Sequence, residues 1–117
     1  MIAIDHKDNL VSINVLGEFS LGDFKEFEEL VLYKIKFTGP VRLLFDLREM
    51  SGFTIDMAWE EVQFSREHGA DFDRIGIITD SQWLAWSAWL QQLFVEADLR
   101  VFNNPSEAQV WIEEFDE

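Results

Sequence analysis

The alternation of apolar and polar residues at the beginning of the chain predicts a β-hairpin. Residues 1–5 and 10–17 are two β-rich runs, and the polar stretch 6–9 separates them. In the second run every other residue from Val11 to Val15 is apolar, which is the period of a strand with one buried face. We therefore expect two antiparallel strands at the start of the fold.

A helical period follows the hairpin. The stretch 20–23, Ser-Leu-Gly-Asp, has the composition of a helix start, and apolar residues then recur at helical spacing from Phe24 to Ile35. Gly39 and Pro40 mark the end of this helix.

From residue 41 onward, strand-like and helix-like patterns alternate along the chain. They predict strands at 41–47, 74–79 and 99–103 and helices at about 54–68, 81–95 and 105–114. Such alternation implies parallel strands joined by right-handed crossovers. The chain is therefore predicted to form one α/β domain over residues 1–117, with a mixed sheet of about five strands, four helices and one sheet face covered more completely than the other.

Two stretches, "LLFDLREMSGFTIDMAWEEVQF" and "HGADFDRIGIITDSQW", resemble the SpoIIAA-like family, whose members share the fold of STAS domains, the sulfate-transporter and anti-sigma-factor-antagonist module. The resemblance covers nearly the whole chain and rests on packing residues. It implies the order β-β-α-β-α-β-α-β-α, which agrees with the pattern above. For function it implies binding of a hydrophobic ligand or peripheral contact with a membrane.

One departure from the STAS pattern concerns the helix that follows the central strand. Antagonist STAS domains carry an Asp-Ser-Ser/Thr-Gly motif there, in which a hydroxyl group is phosphorylated. This chain has Met-Ser-Gly-Phe-Thr-Ile-Asp at 50–56, so Ser51 and Thr54 are the candidate phosphorylation sites. A phosphate at a helix N-terminus would gain from free N–H groups and the helix dipole. The simpler interpretation, which we favour, is that Thr54 is a helix N-cap.

Charge and composition exclude several classes of function. The 23 acidic and 9 basic residues give a formal charge of −14, which opposes binding to nucleic acids and to anionic lipid. The absence of cysteine excludes disulfides and thiolate sites. We find neither a signal sequence nor an apolar stretch of about 20 residues, and therefore expect a cytoplasmic protein, with peripheral membrane contact left open.

The sequence gives no catalytic or metal-binding constellation. His6 and His68 lie far apart along the chain, so no metal site or cofactor is predicted. We expect the neighbouring carboxylates at 28–29, 60–61 and 113–114 to lie on solvated helix faces. Asp46 lies at the end of the predicted central strand, where open α/β sheets bind ligands. A turn or cap role, with Asp46 paired with Arg48, is the simpler interpretation. An enzyme would require a pocket at the strand ends with Asp46 beside His68 or another titratable group, and we predict that the protein is not an enzyme.

The predicted helix at 81–95 carries an unusual number of tryptophans and no charged residue. Trp83, Trp86 and Leu90 fall on the arc expected to pack against the sheet, whereas Leu84 and Trp89 lie outside it. A neighbouring helix is one candidate to cover Trp89, through Trp59 or Phe64. The other candidates are a membrane, an apolar ligand or a second subunit.

These observations lead to two functional hypotheses. The first is a non-catalytic STAS-like module that binds a small apolar ligand or lipid, or that associates with a membrane, a protein partner or a second copy of itself as a homodimer. The second is a phospho-regulated protein-interaction module of the anti-sigma-factor-antagonist type. For the first hypothesis the predicted contact residues are Trp59, Trp83, Leu84, Trp86, Trp89 and Leu90.

Overall fold

The computed structural model describes residues 1–68, 71–80 and 98–114. It begins with the predicted hairpin, in which β1 (Ile2–Lys7) pairs antiparallel with β2 (Leu10–Phe19). Asp8 in the connecting turn has a φ of 55°, a left-handed conformation that aspartate adopts more readily than most residues. The register from Ile2 opposite Val15 to Lys7 opposite Leu10 places Ile2 and Ile4 on the same face as Val11, Ile13 and Val15.

Helix α1 (Leu21–Thr38) begins and ends where the sequence predicts. Ser20 Oγ accepts a hydrogen bond from Asp23 N, and Ser20 N donates to Asp23 Oδ2, which together form a capping box. Gly39, with a φ of 84°, ends the helix by donating its N–H to the Ile35 carbonyl.

The central strand is longer than predicted. β3 (Val41–Phe53) continues past residue 47 because its second half pairs with the end of β2, where Gly17 lies opposite Met50 and Phe19 opposite Phe53. Register shifts in β2 between Asn14 and Leu16 and after Gly17 accommodate this extension. The sequence pattern did not predict this extension, because the polar residues after position 47 occupy exposed positions of the strand.

The other elements in the described part of the chain complete an α/β fold with a mixed sheet. They are α2 (Ile55–His68), β4 (Phe72–Ile78), β5 (Asp98–Phe102) and α3 (Pro105–Glu113). The sheet has the order β1-β2-β3-β4-β5, in which only the β1–β2 pair is antiparallel. The predicted class and five-stranded sheet are confirmed; three of the four predicted helices are observed, and the fourth, at 81–95, lies outside the described residues.

Helices α1 and α2 cover one face of the sheet, here called the α1/α2 face. Its core is rich in phenylalanine, with Phe27 in ring contact with three others at centroid distances of 5.3 to 5.8 Å. Aromatic rings from both helices and two strands meet in this layer: Phe24, Phe27, Phe45, Phe64 and Phe72.

Helix α3 packs on the opposite face, here called the α3 face, above β3, β4 and β5. Asn104 caps it by accepting from the N–H groups of Ser106 and Glu107. At its other end, Arg42 donates to the Ile112 carbonyl at 2.6 Å and Arg74 to the Trp111 carbonyl at 2.7 Å. These two arginines stand side by side on β3 and β4 and bind carbonyls at the end of a helix that has no basic residue in its own last turn.

The close approach of α3 to the sheet depends on Gly76 in β4. A Cβ at this position would lie 3.0 Å from Leu44 Cδ1 and 3.5 Å from the Trp111 ring. The Trp111 ring instead packs over the bare backbone, with the Arg74 guanidinium 4.6 Å from its centroid.

Candidate functional site

Five of the predicted contact residues belong to the 81–95 segment. Trp83, Leu84, Trp86, Trp89 and Leu90 lie outside the described residues, so their assignment stays a prediction. Phe64, one of the two residues expected to cover Trp89, is 3% exposed and packs among the phenylalanines of the α1/α2 face.

Trp59, the remaining contact residue, lies on the solvent side of α2. Its side chain is 66% exposed, although burial of an aromatic side chain is strongly favourable. The helix turns Met57 and Phe64 toward the core, so Trp59 lies about 200° around the helix from Met57 and points away from the sheet. Such an exposed tryptophan on a rigid helix is a feature of contact surfaces.

The two hydroxyl residues lie where β3 ends and α2 begins. Ser51 is exposed near the end of β3. Thr54 Oγ1 accepts a hydrogen bond from Met57 N at 3.3 Å, and Thr54 N donates to the Phe19 carbonyl. The predicted N-cap role of Thr54 is therefore confirmed. Along the chain, both hydroxyl residues precede Trp59: Thr54 caps the helix that carries Trp59, and Ser51 lies in the strand before it.

Asp46 and His68, which we named as one pair that an enzyme could use, have separate partners. Asp46 accepts from Arg48 Nε at 3.0 Å and from Arg48 NH2 at 2.7 Å, which confirms the predicted pairing. Burial acts to raise the pKa of Asp46, but the hydrogen bonds and charge of Arg48 outweigh it and hold that pKa below its usual value. His68 lies beside Asp71 and packs against Phe64 on the opposite face of the sheet. The arrangement of Asp46 beside His68 is not formed.

The carboxylates at 60–61 do not both lie on a solvated face, so that prediction was wrong. Glu61 is 5% exposed, and neither of its carboxyl oxygens has a hydrogen-bond partner among the residues that the structure describes. Burial raises the pKa of Glu61 to about 8, so the group is largely protonated at neutral pH. Helical phase could have indicated this burial, because Glu61 follows Met57 by four residues and precedes Phe64 by three.

The carboxyl groups of Glu28 on α1 and Glu60 on α2 lie close enough to interact. Partial burial, with hydrogen bonding to and repulsion from Glu60, raises the pKa of Glu28 to about 7. Lys25 Nζ lies 3.9 Å from Glu60 Oε2 and balances part of the negative charge. Burial and the nearby Glu60 carboxyl group together keep Glu28 partly protonated at neutral pH.

The described residues contain no group of three or more histidine, aspartate or glutamate side chains that could hold a metal ion. None of the helices in the described part of the chain has the length and hydropathy needed to span a bilayer.

Comparison with known proteins gives the following relationships. The sequence matches the family described as SpoIIAA-like over residues 10–113. No curated protein matches the chain. Among solved structures, an uncharacterised protein with a SpoIIAA-like fold from Shewanella loihica is 20% identical, with a TM-score of 0.76 over 96% of this chain and 92% of that one.

Two anti-sigma factor antagonists have the same fold. SpoIIAA in its unphosphorylated form is 13% identical, with a TM-score of 0.64 over 99% of this chain and 100% of that one. An antagonist from Mycobacterium paratuberculosis is 12% identical, with a TM-score of 0.61 over 97% and 93% of the two chains. At these identities the similarity shows the fold alone.

Proposed function

Because this chain belongs to the SpoIIAA-like family, we propose that it is a non-catalytic STAS module that binds a protein partner through the amino-terminal part of α2. The contact surface comprises Ser51, Thr54, Asp56 and Trp59 and is called the Trp59 surface below. The observation that carries the proposal is the exposure of Trp59, which is 66% accessible on a helix that is otherwise amphipathic.

The energy available from Trp59 favours a partner of protein size. Burying a whole tryptophan side chain removes about 150–250 Å² from water, which at ~25 cal/mol per Å² corresponds to roughly 4–6 kcal/mol as an upper value. About two-thirds of that remains to be gained by a partner that covers Trp59. Tryptophans that supply this much energy typically lie near the centre of an interface.

The related structures support a protein as the partner and phosphorylation as the means of regulation. Two of them are described as anti-sigma factor antagonists, and one of these as unphosphorylated. In this chain a phosphate on Ser51 or Thr54 would add negative charge close to Trp59 and near the positive end of the α2 dipole. We infer that phosphorylation of one of these hydroxyls would change the affinity of the Trp59 surface for its partner.

A photo-cross-linking amino acid in place of Gln63 tests whether a protein partner binds the Trp59 surface. Gln63 is exposed one turn beyond Trp59, so the probe lies at the surface while Trp59 is kept. We expect a discrete protein adduct in cells that is lost in the Trp59→Ala variant, with the thermal stability of the protein unchanged. Tyr33→Ala removes a similarly exposed aromatic side chain from α1 and should leave the adduct intact. No adduct from Gln63, or an adduct insensitive to Trp59→Ala, would contradict the proposal.

Mass spectrometry of the peptide that spans residues 50–56 tests the regulation. Thr54→Asn is the informative variant because asparagine keeps a capping oxygen but has no hydroxyl to modify. We expect phosphate on this peptide in wild-type protein from cells, and its loss in Thr54→Asn or in Ser51→Ala would identify the acceptor. Peptides that stay unmodified under all growth conditions would remove phosphorylation from the proposal and leave the partner surface in place.

Contact of the predicted helix 81–95 with an apolar ligand or lipid is an alternative function for the same fold. Native mass spectrometry of the purified protein and tryptophan fluorescence with neutral lipid vesicles distinguish this alternative from binding of a protein partner. A co-purified apolar ligand, or a vesicle-induced fluorescence shift that persists in Trp59→Ala, would favour this alternative over a protein partner.

A further inference from the structure

A cavity of about 330 Å³ lies on the α3 face of the sheet, on the side that α3 leaves open. Its floor consists of two neighbouring rows of side chains that cross the strands. Asp5 pairs with Ser12 in one row, and Asn14 pairs with Asp46 in the next. Pro105, the first residue of α3, lines the same cavity. None of the residues of the Trp59 surface lines it.

The polar groups of this cavity are predominantly hydrogen-bond acceptors. Asp5 and Asp46 contribute carboxylates, and no basic side chain is among the described residues that line the cavity. Asn14 Oδ1 is buried and has no hydrogen-bond partner in the described part of the chain. A buried acceptor without a donor costs free energy until one is supplied. Since Asp46 is already paired with Arg48, Asp5 provides the charge that a ligand would meet. A ligand that donates hydrogen bonds and carries positive charge fits these groups.

Apart from Ser12 and Gln109, whose Nε2 donates to Glu113 Oε2 at 2.6 Å, the rest of the lining is apolar. Leu44 and Ile78 are buried in the floor, and the Pro105 ring stands beside them. The volume lies at the small end of the range of about 300–1,000 Å³ that ligand pockets span. A ligand for this cavity therefore combines a cationic group with a short aliphatic body.

An anion is the main competitor, because the cavity adjoins the amino terminus of a helix. That terminus offers little to an anion, however. Pro105 has no N–H group, and the N–H groups of Ser106 and Glu107 already donate to Asn104 Oδ1 at 2.8 and 3.2 Å. The nearby carboxylates also repel an anion.

We propose that this cavity binds a small aliphatic amine. Its ammonium group donates to the Asp5 carboxylate and to Asn14 Oδ1, and its carbon chain lies against Leu44 and Ile78. The site is independent of the Trp59 surface, so either proposal can fail without the other.

NMR titration of the full chain with n-pentylamine tests this site, with 1-pentanol and pentanoate as neutral and anionic probes of similar shape. At constant ionic strength we expect n-pentylamine to produce saturable shifts of the backbone amides of Asp5, Ser12 and Asn14. Pentanol should bind more weakly, and pentanoate should not bind. Pentanoate shifts at the same amides, or no saturable shift with n-pentylamine in the millimolar range, would overturn the proposal.

Two variants and one control separate the site from the general attraction of an acidic protein for cations. Asp5→Asn should weaken n-pentylamine binding about fivefold, as expected for loss of one partly solvated charged contact. Ala3→Phe places a ring in the cavity from an exposed strand position and should abolish the shifts while thermal stability is retained. Asp8→Asn removes the same charge from the hairpin turn, outside the cavity, and should bind as wild type does. Equal weakening by Asp5→Asn and Asp8→Asn would show attraction to net charge only and refute the site.

Discussion

The two faces of the sheet are held together by different forces. On the α1/α2 face, phenylalanines from two helices and two strands pack ring against ring. On the α3 face, a smaller apolar cluster is supplemented by two arginines that bind the last carbonyls of α3. Helices α1 and α2 are thus held on the sheet mainly by apolar packing. Helix α3 buries fewer apolar residues, and hydrogen bonds and a cation–π contact from arginine add to its attachment.

The difference also determines where polar groups can act. The α1/α2 face tolerates one buried carboxyl group, Glu61, and keeps it protonated. The α3 face leaves the polar residues of β1 and β2 open, and the proposed amine cavity lies there. The better-packed face is therefore expected to control stability, and the other face to hold the open binding site.

Substitution of a central phenylalanine should produce the largest loss of stability. Phe27→Ala removes a fully buried ring that touches Phe24, Phe45 and Phe64, and should lower the free energy of unfolding by about 3–5 kcal/mol. Phe102→Ala on the α3 face removes a partly buried ring in contact with Trp111, and should cost about 1–2 kcal/mol. Urea unfolding of the two variants measures the difference, and equal losses would show that the faces do not differ.

Neutralising Glu61 should change the pH dependence of stability. Its pKa is about 8 in the folded protein against 4.5 for the free group, so the folded state holds a proton that the unfolded state releases. Stability should therefore fall as the pH rises from about 4.5 to about 8 and then level off.

Glu61→Gln keeps the size of the side chain and has no proton to lose. The variant should exceed the wild type in free energy of unfolding by roughly 3–5 kcal/mol above about pH 8. It should lack the part of the decline that Glu61 causes and keep the part below about pH 7 that Glu28 causes. Glu26→Gln, at an exposed position of α1, is the control and should follow the wild type. A wild-type stability that is flat across this pH range would contradict the protonated state of Glu61.

Removing one arginine tests the polar attachment of α3. Arg74→Met deletes the hydrogen bond to the Trp111 carbonyl and the guanidinium that lies 4.6 Å from the Trp111 ring. We expect a loss of about 1–3 kcal/mol in the free energy of unfolding. Arg100→Met is the matched control, because Arg100 lies 5.4 Å from the same ring and 3.8 Å from Asp98, which Arg74 approaches to 3.9 Å. Equal effects in the two variants would show that the carbonyl contact contributes little.

The smallest expected effect is that of Gly76→Ala. The added methyl group would lie 3.0 Å from Leu44 Cδ1, so α3 or Leu44 must shift by a few tenths of an ångström. We expect a loss of about 1 kcal/mol, measured as a lowered midpoint of thermal unfolding. Gly52→Ala, where a Cβ would meet nothing within 4 Å, is the control. A stabilised Gly76→Ala variant would show that the α3 face is loosely packed.

Sequence pattern was sufficient for most of the fold because each element has a local signal. The capping box of Ser20 and Asp23, the glycine at position 39 and the alternation in β2 all lie in the residues that form the element. The length of β3 was underestimated, since its second half is stabilised by pairing with a distant strand and not by its own polar residues.

Fewer features of the candidate sites could be predicted from the sequence. The cap at Thr54 and the Asp46–Arg48 pair are local and were predicted. The burial of Glu61 was not predicted because glutamate is rarely buried without a partner, although its spacing from Met57 and Phe64 places it on the buried side of α2. The amine cavity joins residues of β1, β2, β3 and α3, which only the sheet register brings together.

The order of the strands in space is also their order in the chain. Each strand after the first can therefore add to the free edge of a sheet that already exists, without waiting for a later segment to be inserted between two earlier ones. The β1–β2 hairpin offers a local starting point, and α3 can dock only after β3, β4 and β5 supply its surface. Assembly can thus follow synthesis from the amino terminus, with the α1/α2 layer closing before the α3 layer.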